Sequence, residues 1–190
     1  MTESNPPNAP AKISIRPVQE ADLQPLFDIL YGGKADRVWM QFNGPYFDDP
    51  ILTWPAFYER YRQTYLGKPE RGQVIMLDKQ IVGMVTAYFT DGHLGHWLEV
   101  GLVIAKQSNW GRGIGTQALT AWITELFTYY PELPHIGLTT WSGNPAMLML
   151  AKKSGLLCEG RIRQVRYWQG QYYDSVKYGV LRSEWRPNSK

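Results

Sequence analysis

What the chain has little of narrows its class first. Among 190 residues there is one cysteine, Cys158, and there are three histidines. A single cysteine excludes a disulfide framework and points to a reducing compartment, so a cytoplasmic location is expected. Cys158 stands between Leu157 and Glu159 at the start of an expected strand and has no histidine near it in sequence. It reads as a buried structural thiol rather than a nucleophile. His93, His96 and His135 make no ligand spacing with it, so no metal site is expected. No apolar run approaches the length of a membrane span, and the opening MTESNPPNAP lacks the apolar core of a signal peptide. That opening is polar and proline-rich, and residues 1–10 are expected to be a disordered tail. Excess charge is also scarce: a net +3 suits an anionic ligand but does not argue for a nucleic-acid or membrane partner.

What is present fits one mixed α and β domain over residues 11–186. The hydrophobic share of 44% and the charged share of 19% are ordinary for a globular chain. Lys12 to Arg16 alternates as a strand, and Leu23, Leu26, Phe27 and Leu30 recur at helical spacing. Gly32 to Asp49 reads as a long loop, and structured loops of that length tend to be functional. A second helix is expected from Thr53 as N-cap to Gly67, with Pro55 in its first turn. A hairpin is expected around Asp78-Lys79, and two long strands around Gln169-Gly170-Gln171.

The most telling stretch is EVGLVIAKQSNWGRGIGTQAL, Glu99 to Leu119. An apolar run, Val100 to Ala105, suits a buried strand. Gly111, Gly113 and Gly115 then crowd the start of a helix whose Leu119, Trp122, Ile123, Leu126, Phe127 and Tyr130 share one face. Glycines there let the backbone approach a ligand, and the free N–H groups and positive dipole end make an anion site. A P-loop is excluded, because Thr116-Gln117-Ala118 follows the glycines where Lys and Ser/Thr are needed. A dinucleotide fingerprint is excluded by the spacing G-R-G-I-G and by the loop Lys106 to Asn109. The bland alternative is that the glycines only pack a helix against a sheet.

Trp110-Gly111-Arg112-Gly113-Ile114-Gly115 resembles the pyrophosphate loop of the GNAT superfamily of N-acetyltransferases, with Trp at the Gln/Arg position. The run WSGNPAMLMLAKKSGLLCEGRIR, Trp141 to Arg163, and the tail Tyr172 to Trp185 are similar to its RimJ/RimL-like subgroup of ribosomal-protein alanine acetyltransferases. The resemblance implies an α+β fold with a central, twisted, mostly antiparallel sheet of about six to seven strands. Its fourth and fifth strands splay apart, and about four helices flank the sheet. It implies acetyl-CoA as acyl donor and an amine as acceptor. Val103, Ile104 and Ala105 would hold the pantetheine arm as an added strand. The N–H groups from Gly111 to Thr116 would hold the pyrophosphate, Arg112 could add a charge contact, and Asn144 would touch the cofactor. For Asn144 a plain helix N-cap is an equal reading. Dimerisation is common in such enzymes, and nothing in the sequence fixes it.

Acetyl transfer needs a neutral amine, and a lysine-type amine has a pKa near 10.4. A general base must therefore accept a proton. Glu99, eleven positions before Trp110, has the spacing of the catalytic Glu in histone-acetyltransferase-like members. A structural Glu bonded to a neighbouring strand is the alternative. Seven residues after Asn144, where many relatives carry a Tyr as general acid, stands Ala151. Ser142, Ser154 or a water are weak substitutes, so a non-catalytic acyl-CoA-binding protein is a second reading. Trp39, Phe42, Tyr46, Phe47, Trp54 and Tyr58 lie where the family builds its acceptor pocket, and most of them are expected in the core. Arg161 to Trp168 mixes basic and aromatic residues, but alternation puts Arg161 and Arg163 on one face of a strand, as a solvated face or a dimer edge would.

Overall fold

The computed structural model describes residues 13–186. Residues 1–10, expected as a disordered tail, lie outside the described residues. Seven strands form one sheet in the order β1-β2-β3-β4-β5-β7-β6. They are β1 (Ile13–Pro17), β2 (Gly72–Leu77), β3 (Gln80–Phe89), β4 (Leu98–Ile104), β5 (His135–Trp141), β6 (Leu157–Trp168) and β7 (Gln171–Leu181). The helices are α1 (Leu23–Leu30), α2 (Trp54–Tyr65), α3 (Ile114–Tyr129) and α4 (Pro145–Lys153). Every neighbouring pair of strands is antiparallel except β4 and β5.

Alternation along the strands sorts the core into two layers. Ile75, Val85, Val100 and Ile136 face one side, where α3 brings Leu119, Trp122, Ile123 and Leu126 and α4 adds Ala151. Val74, Met84 and Ala105 face the other side, under Leu23, Leu26 and Leu30 of α1 and Phe57 of α2. The helical face expected after the glycine loop is thus the face that α3 buries. Burying a Leu- or Ile-sized side chain contributes about 1.5–3 kcal/mol, so these layers carry much of the stability.

Local chemistry sets the turns. Asp78 and Lys79 both take positive φ, 45° and 72°, as the two-residue turn of a right-twisted hairpin requires. Gln169 and Gly170 do the same between β6 and β7, with φ of 48° and 78°. Strand β1 ends at Pro17, which has no N–H for the ladder. Arg16 then binds Asp22 with both terminal nitrogens, at 2.6 and 2.7 Å, and the Gln19 N–H donates to the same carboxylate at 2.8 Å.

Strands β4 and β5 pair at only two positions, Leu98 with Ile136 and Glu99 with Gly137. Beyond them the strands part, and among the described residues no strand lies beside that edge of β4. Cys158 differs from expectation: it is exposed, because β6 is an edge strand with open surface on both faces. The same exposure accounts for Arg161, which pairs with Asp174 on the neighbouring strand.

Burial pushes the Asp22 carboxyl up, but the Arg16 and Gln19 hydrogen bonds outweigh it and hold the group below its usual 3.8. A lowered folded pKa adds stability that is present above the unfolded pKa and lost as pH falls through the folded one. Asp22→Asn should therefore lower stability by about 1–3 kcal/mol at pH 7. Urea unfolding of both proteins should show that gap closing below about pH 4.

Candidate active site

The chain leaves β4 by sending the Ala105 N–H to Val82 O at 2.9 Å. A short 3-10 turn, Gln107–Asn109, follows, and Asp36 from the long loop accepts the Gln107 N–H at 2.8 Å. Trp110 then folds back on the strand. Its indole N–H donates to Ile104 O at 2.9 Å, and its ring stands edge-on to Phe42 at 5.5 Å. Gly111 and Gly113 take φ of 72° and 79°, a left-handed region where a side chain is strained. Gly113 is the N-cap of α3, and the first regular bond runs from Gln117 N to Gly113 O at 3.1 Å. The N–H groups of Ile114, Gly115 and Thr116 precede that bond and have no acceptor within the helix. The packing alternative holds for Gly115, where a Cβ would sit 2.5 Å from Leu150 Cδ1 of α4. Arg112 donates to Asn109 Oδ1 at 3.1 Å, within the loop itself.

These N–H groups open onto a groove of about 300 Å³ between the free edge of β4 and helix α4. Val103, Ile104, Trp110, Gly111, Gly113, Ile114, Gly115, Thr116 and Asn144 all line it. Ala105 does not: it is buried against α1 and α2, and its N–H is taken by β3. Strand alternation refines the expected edge further. Val103 O points at Gly83 of β3, as the Ala105 N–H points at Val82. The polar groups of Leu102 and Ile104 must then face the groove. Ile104 O already accepts from Trp110, which leaves Leu102 and the Ile104 N–H free for a ligand. Asn144 caps α4 by accepting the Met147 N–H at 3.0 Å. Its amide also donates to Phe42 O at 3.1 Å, beside the Trp141 indole at 2.9 Å, so it ties the long loop to β5 and α4.

A second cavity, of about 390 Å³, lies on the other side of Trp39. The two share Trp39, Asn43, Leu102 and Val103, so they meet at the free edge of β4. Tyr31, Tyr61, Tyr65 and Trp168 form aromatic walls, and Asp48, Asp49 and Arg60 bring charge. Burial pushes the hydroxyls of Tyr31 and Tyr65 up and that of Tyr61 well up, so all three stay protonated at neutral pH. Of the aromatics expected at the acceptor pocket, Trp39 lines both cavities and Phe42 lines the groove, whereas Trp54, on α2, packs on Phe27. Tyr46 and Phe47 lie under the Arg166 guanidinium, at 5.1 and 5.3 Å.

Glu99 sits at the last paired position before the strands part. Only 3% exposed, it accepts from Thr139 Oγ1 at 2.7 Å and pairs with Lys177 Nζ at 3.3 Å. Lys177 also donates to Thr139 at 3.1 Å and lies 4.8 Å from the Trp97 ring centre. The carboxylate is thus paired, as a buried charge must be. It lines neither cavity, although it shares a strand face with Gly101 and Val103, which do. Ala151 is fully buried. Ser142 accepts the Asp174 N–H, and neither Ser142 nor Ser154 lines either of these two cavities. Among the described residues no three His, Cys, Asp or Glu side chains gather as a metal site, and no helix is long and apolar enough to cross a membrane.

Sequence reasoning did not single out Leu102, Tyr31, Tyr61, Tyr65, Arg60 or Trp168 for this site. The signal for Tyr61 and Tyr65 is their spacing with Phe57, which lines the rings up along one side of α2, Phe57 stacked on Tyr61 at 3.8 Å and Tyr61 edge-on to Tyr65 at 5.2 Å. Nothing local marks Trp168, which arrives from the far hairpin.

Comparison with known proteins agrees with this architecture. A family model described as "Acetyltransferase (GNAT) domain" matches residues 12–157. A putative ribosomal N-acetyltransferase, YdaF, of Bacillus subtilis is 28% identical over 139 residues, 69% of this chain and 74% of that protein. The ribosomal-protein-serine acetyltransferase of Escherichia coli is 23% identical over 184 residues, 89% of this chain and 92% of its own. The solved spermidine N-acetyltransferase of Vibrio cholerae, in complex with CoA and spermine, superposes with a TM-score of 0.72 at 20% identity. That match covers 90% of this chain and 96% of the other. The chain therefore belongs to the GNAT acetyltransferase family.

Proposed function

We propose that this protein transfers the acetyl group of acetyl-CoA directly to the nitrogen of a primary amine, with both molecules bound at once. One observation carries the reading: two cavities meet at Leu102 and Val103, on the edge of β4 that β5 leaves bare. The groove on one side offers the unpaired N–H groups of Ile114, Gly115 and Thr116, which suit a pyrophosphate. Leu102 and Ile104 can pair with an amide-bearing arm as an added strand does. The aromatic cavity on the other side suits an ammonium-bearing acceptor. Fixing amine and thioester at one point removes much of the entropic barrier to their reaction.

Glu99 is assigned the proton. The amine must lose it before attack, and a carboxylate held by Thr139 and Lys177 on the same strand face can draw it through water. The thiolate departs with little help, since a thiol's pKa is only about 8.5. The absence of a hydroxyl at Ala151 favours the second reading, acyl-CoA binding without turnover. An assay of CoA thiol release over a panel of amines, with mass spectrometry of the products, separates the two. N-acetyl product supports transfer, and binding without thiol release over the panel overturns it.

Two variants probe the parts. Gly113→Trp places bulk at the mouth of the helix and should raise the Kd for acetyl-CoA by about 100-fold or more, roughly 2.7 kcal/mol. Calorimetry reads that affinity, and circular dichroism checks that the fold is kept. Glu99→Gln leaves the half-buried Lys177 without its carboxylate, so it is best made together with Lys177→Met, which removes both charges of the pair. The double variant should bind acetyl-CoA normally and lose about 10²-fold in kcat/KM. Wild-type turnover in a folded double variant would return Glu99 to a purely structural role.

A further inference from the structure

The aromatic cavity carries charge of both signs, and the charges do not neutralise one another. Asp48 and Asp49 come from the long loop, and Arg60 comes from α2. Among the described residues none of the three forms an ion pair, with each other or with any other side chain. Asp49 and Arg60 nevertheless both act on one group, the Tyr31 hydroxyl. The Asp49 charge pushes the Tyr31 hydroxyl up, and the Arg60 charge pulls the hydroxyls of Tyr31, Tyr61 and Tyr65 down. The same cavity has the aromatic walls of Tyr31, Tyr61, Tyr65 and Trp168, with Trp39 and Met84 beside them. Unpaired opposite charges lining one aromatic cavity match a ligand that carries both signs itself.

We propose that the acceptor is a primary amine that also bears an anionic group, a carboxylate above all. Its ammonium is drawn to Asp48 and Asp49, and its carboxylate is held by Arg60. A guanidinium can meet a carboxylate with two parallel N–H donors, which gives direction as well as attraction. Arg60 is then a specificity-determining residue: it does not touch the reacting atoms, but it selects which amine reaches them. A polycation meets the same two aspartates but is repelled by Arg60.

The proposal rests on the acetyltransferase reading for its kinetic test and only on the cavity for its binding test. Di-, tri- and tetra-alanine peptides, each as free acid and as C-terminal amide, supply amines matched in all but the far charge. With the whole protein and acetyl-CoA, at least one free acid should show a KM about fivefold or more below that of its amide at similar kcat, the scale of an exposed ion pair. The difference should shrink in 1 M salt, where the Debye length is about 3 Å. Arg60→Gln should raise KM for the free acid alone, whereas Asp48→Asn with Asp49→Asn should raise it for both forms. Equal use of acid and amide at every length, or better use of spermine than of either with a gain on Arg60→Gln, would overturn the proposal. Calorimetry of the same peptides on the CoA-loaded protein covers the case of no turnover. An Arg60-dependent preference for the acid would then uphold the cavity reading while the transfer reading fell, and no binding of either form would end both.

Discussion

The early parting of β4 from β5 is the constraint on which the site depends. A strand inside a sheet has its N–H and C=O groups paired on both sides, and an unpaired buried amide is costly. Here β4 is paired along its whole length with β3 but only at Leu98 and Glu99 with β5. The bare edge that results needs a partner, and a ligand with amide groups can supply one. Glu99 marks the point of divergence. Its carboxylate reaches across to Thr139 of β5 and Lys177 of β7, so three strands are tied together where the paired region ends.

Everything else around the bare edge holds its two sides in place. Trp110 binds the glycine loop back to Ile104 O, which aims the start of α3 at the groove. Phe42 O accepts from both Trp141 and Asn144, so the long loop is clipped to β5 and α4 at one carbonyl. The β6–β7 hairpin completes the far wall. A bulge between Ile162 and Arg166 bends β6, with Asp174 accepting the N–H of Gln164 inside it. The bend brings Arg166 over Tyr46 and Phe47 and Trp168 into the second cavity. Bulges commonly re-aim side chains in this way near binding sites.

The two cavities differ in the source of their electrostatics. The groove beside α3 relies on backbone N–H groups and a helix terminus, which act whatever the side chains. The aromatic cavity relies on side chains from a loop and a helix, Asp48, Asp49 and Arg60 among them. A shared donor can therefore be bound by backbone geometry, while side chains that can change without disturbing the fold select the acceptor.

The sequence by itself determined the features that depend on neighbours in the chain. The turns at Asp78-Lys79 and Gln169-Gly170, the buried face of α3, the left-handed glycines before it and the Asn144 cap all follow from local backbone preference and hydrophobic period. Local pattern could not decide burial at an edge. Cys158 looks internal between its neighbours, yet it is exposed because β6 lies outermost in the sheet. Nor could it decide which backbone groups of β4 are free, since that depends on which residues β3 claims: Ala105 is taken, and Leu102 is left. The partners of Glu99 lie 40 and 78 residues away, and the cavity walls come from α1, α2, the long loop and the last hairpin. Contacts at such separations are set by how the sheet is ordered and where it splits, and so only the tertiary structure decided them.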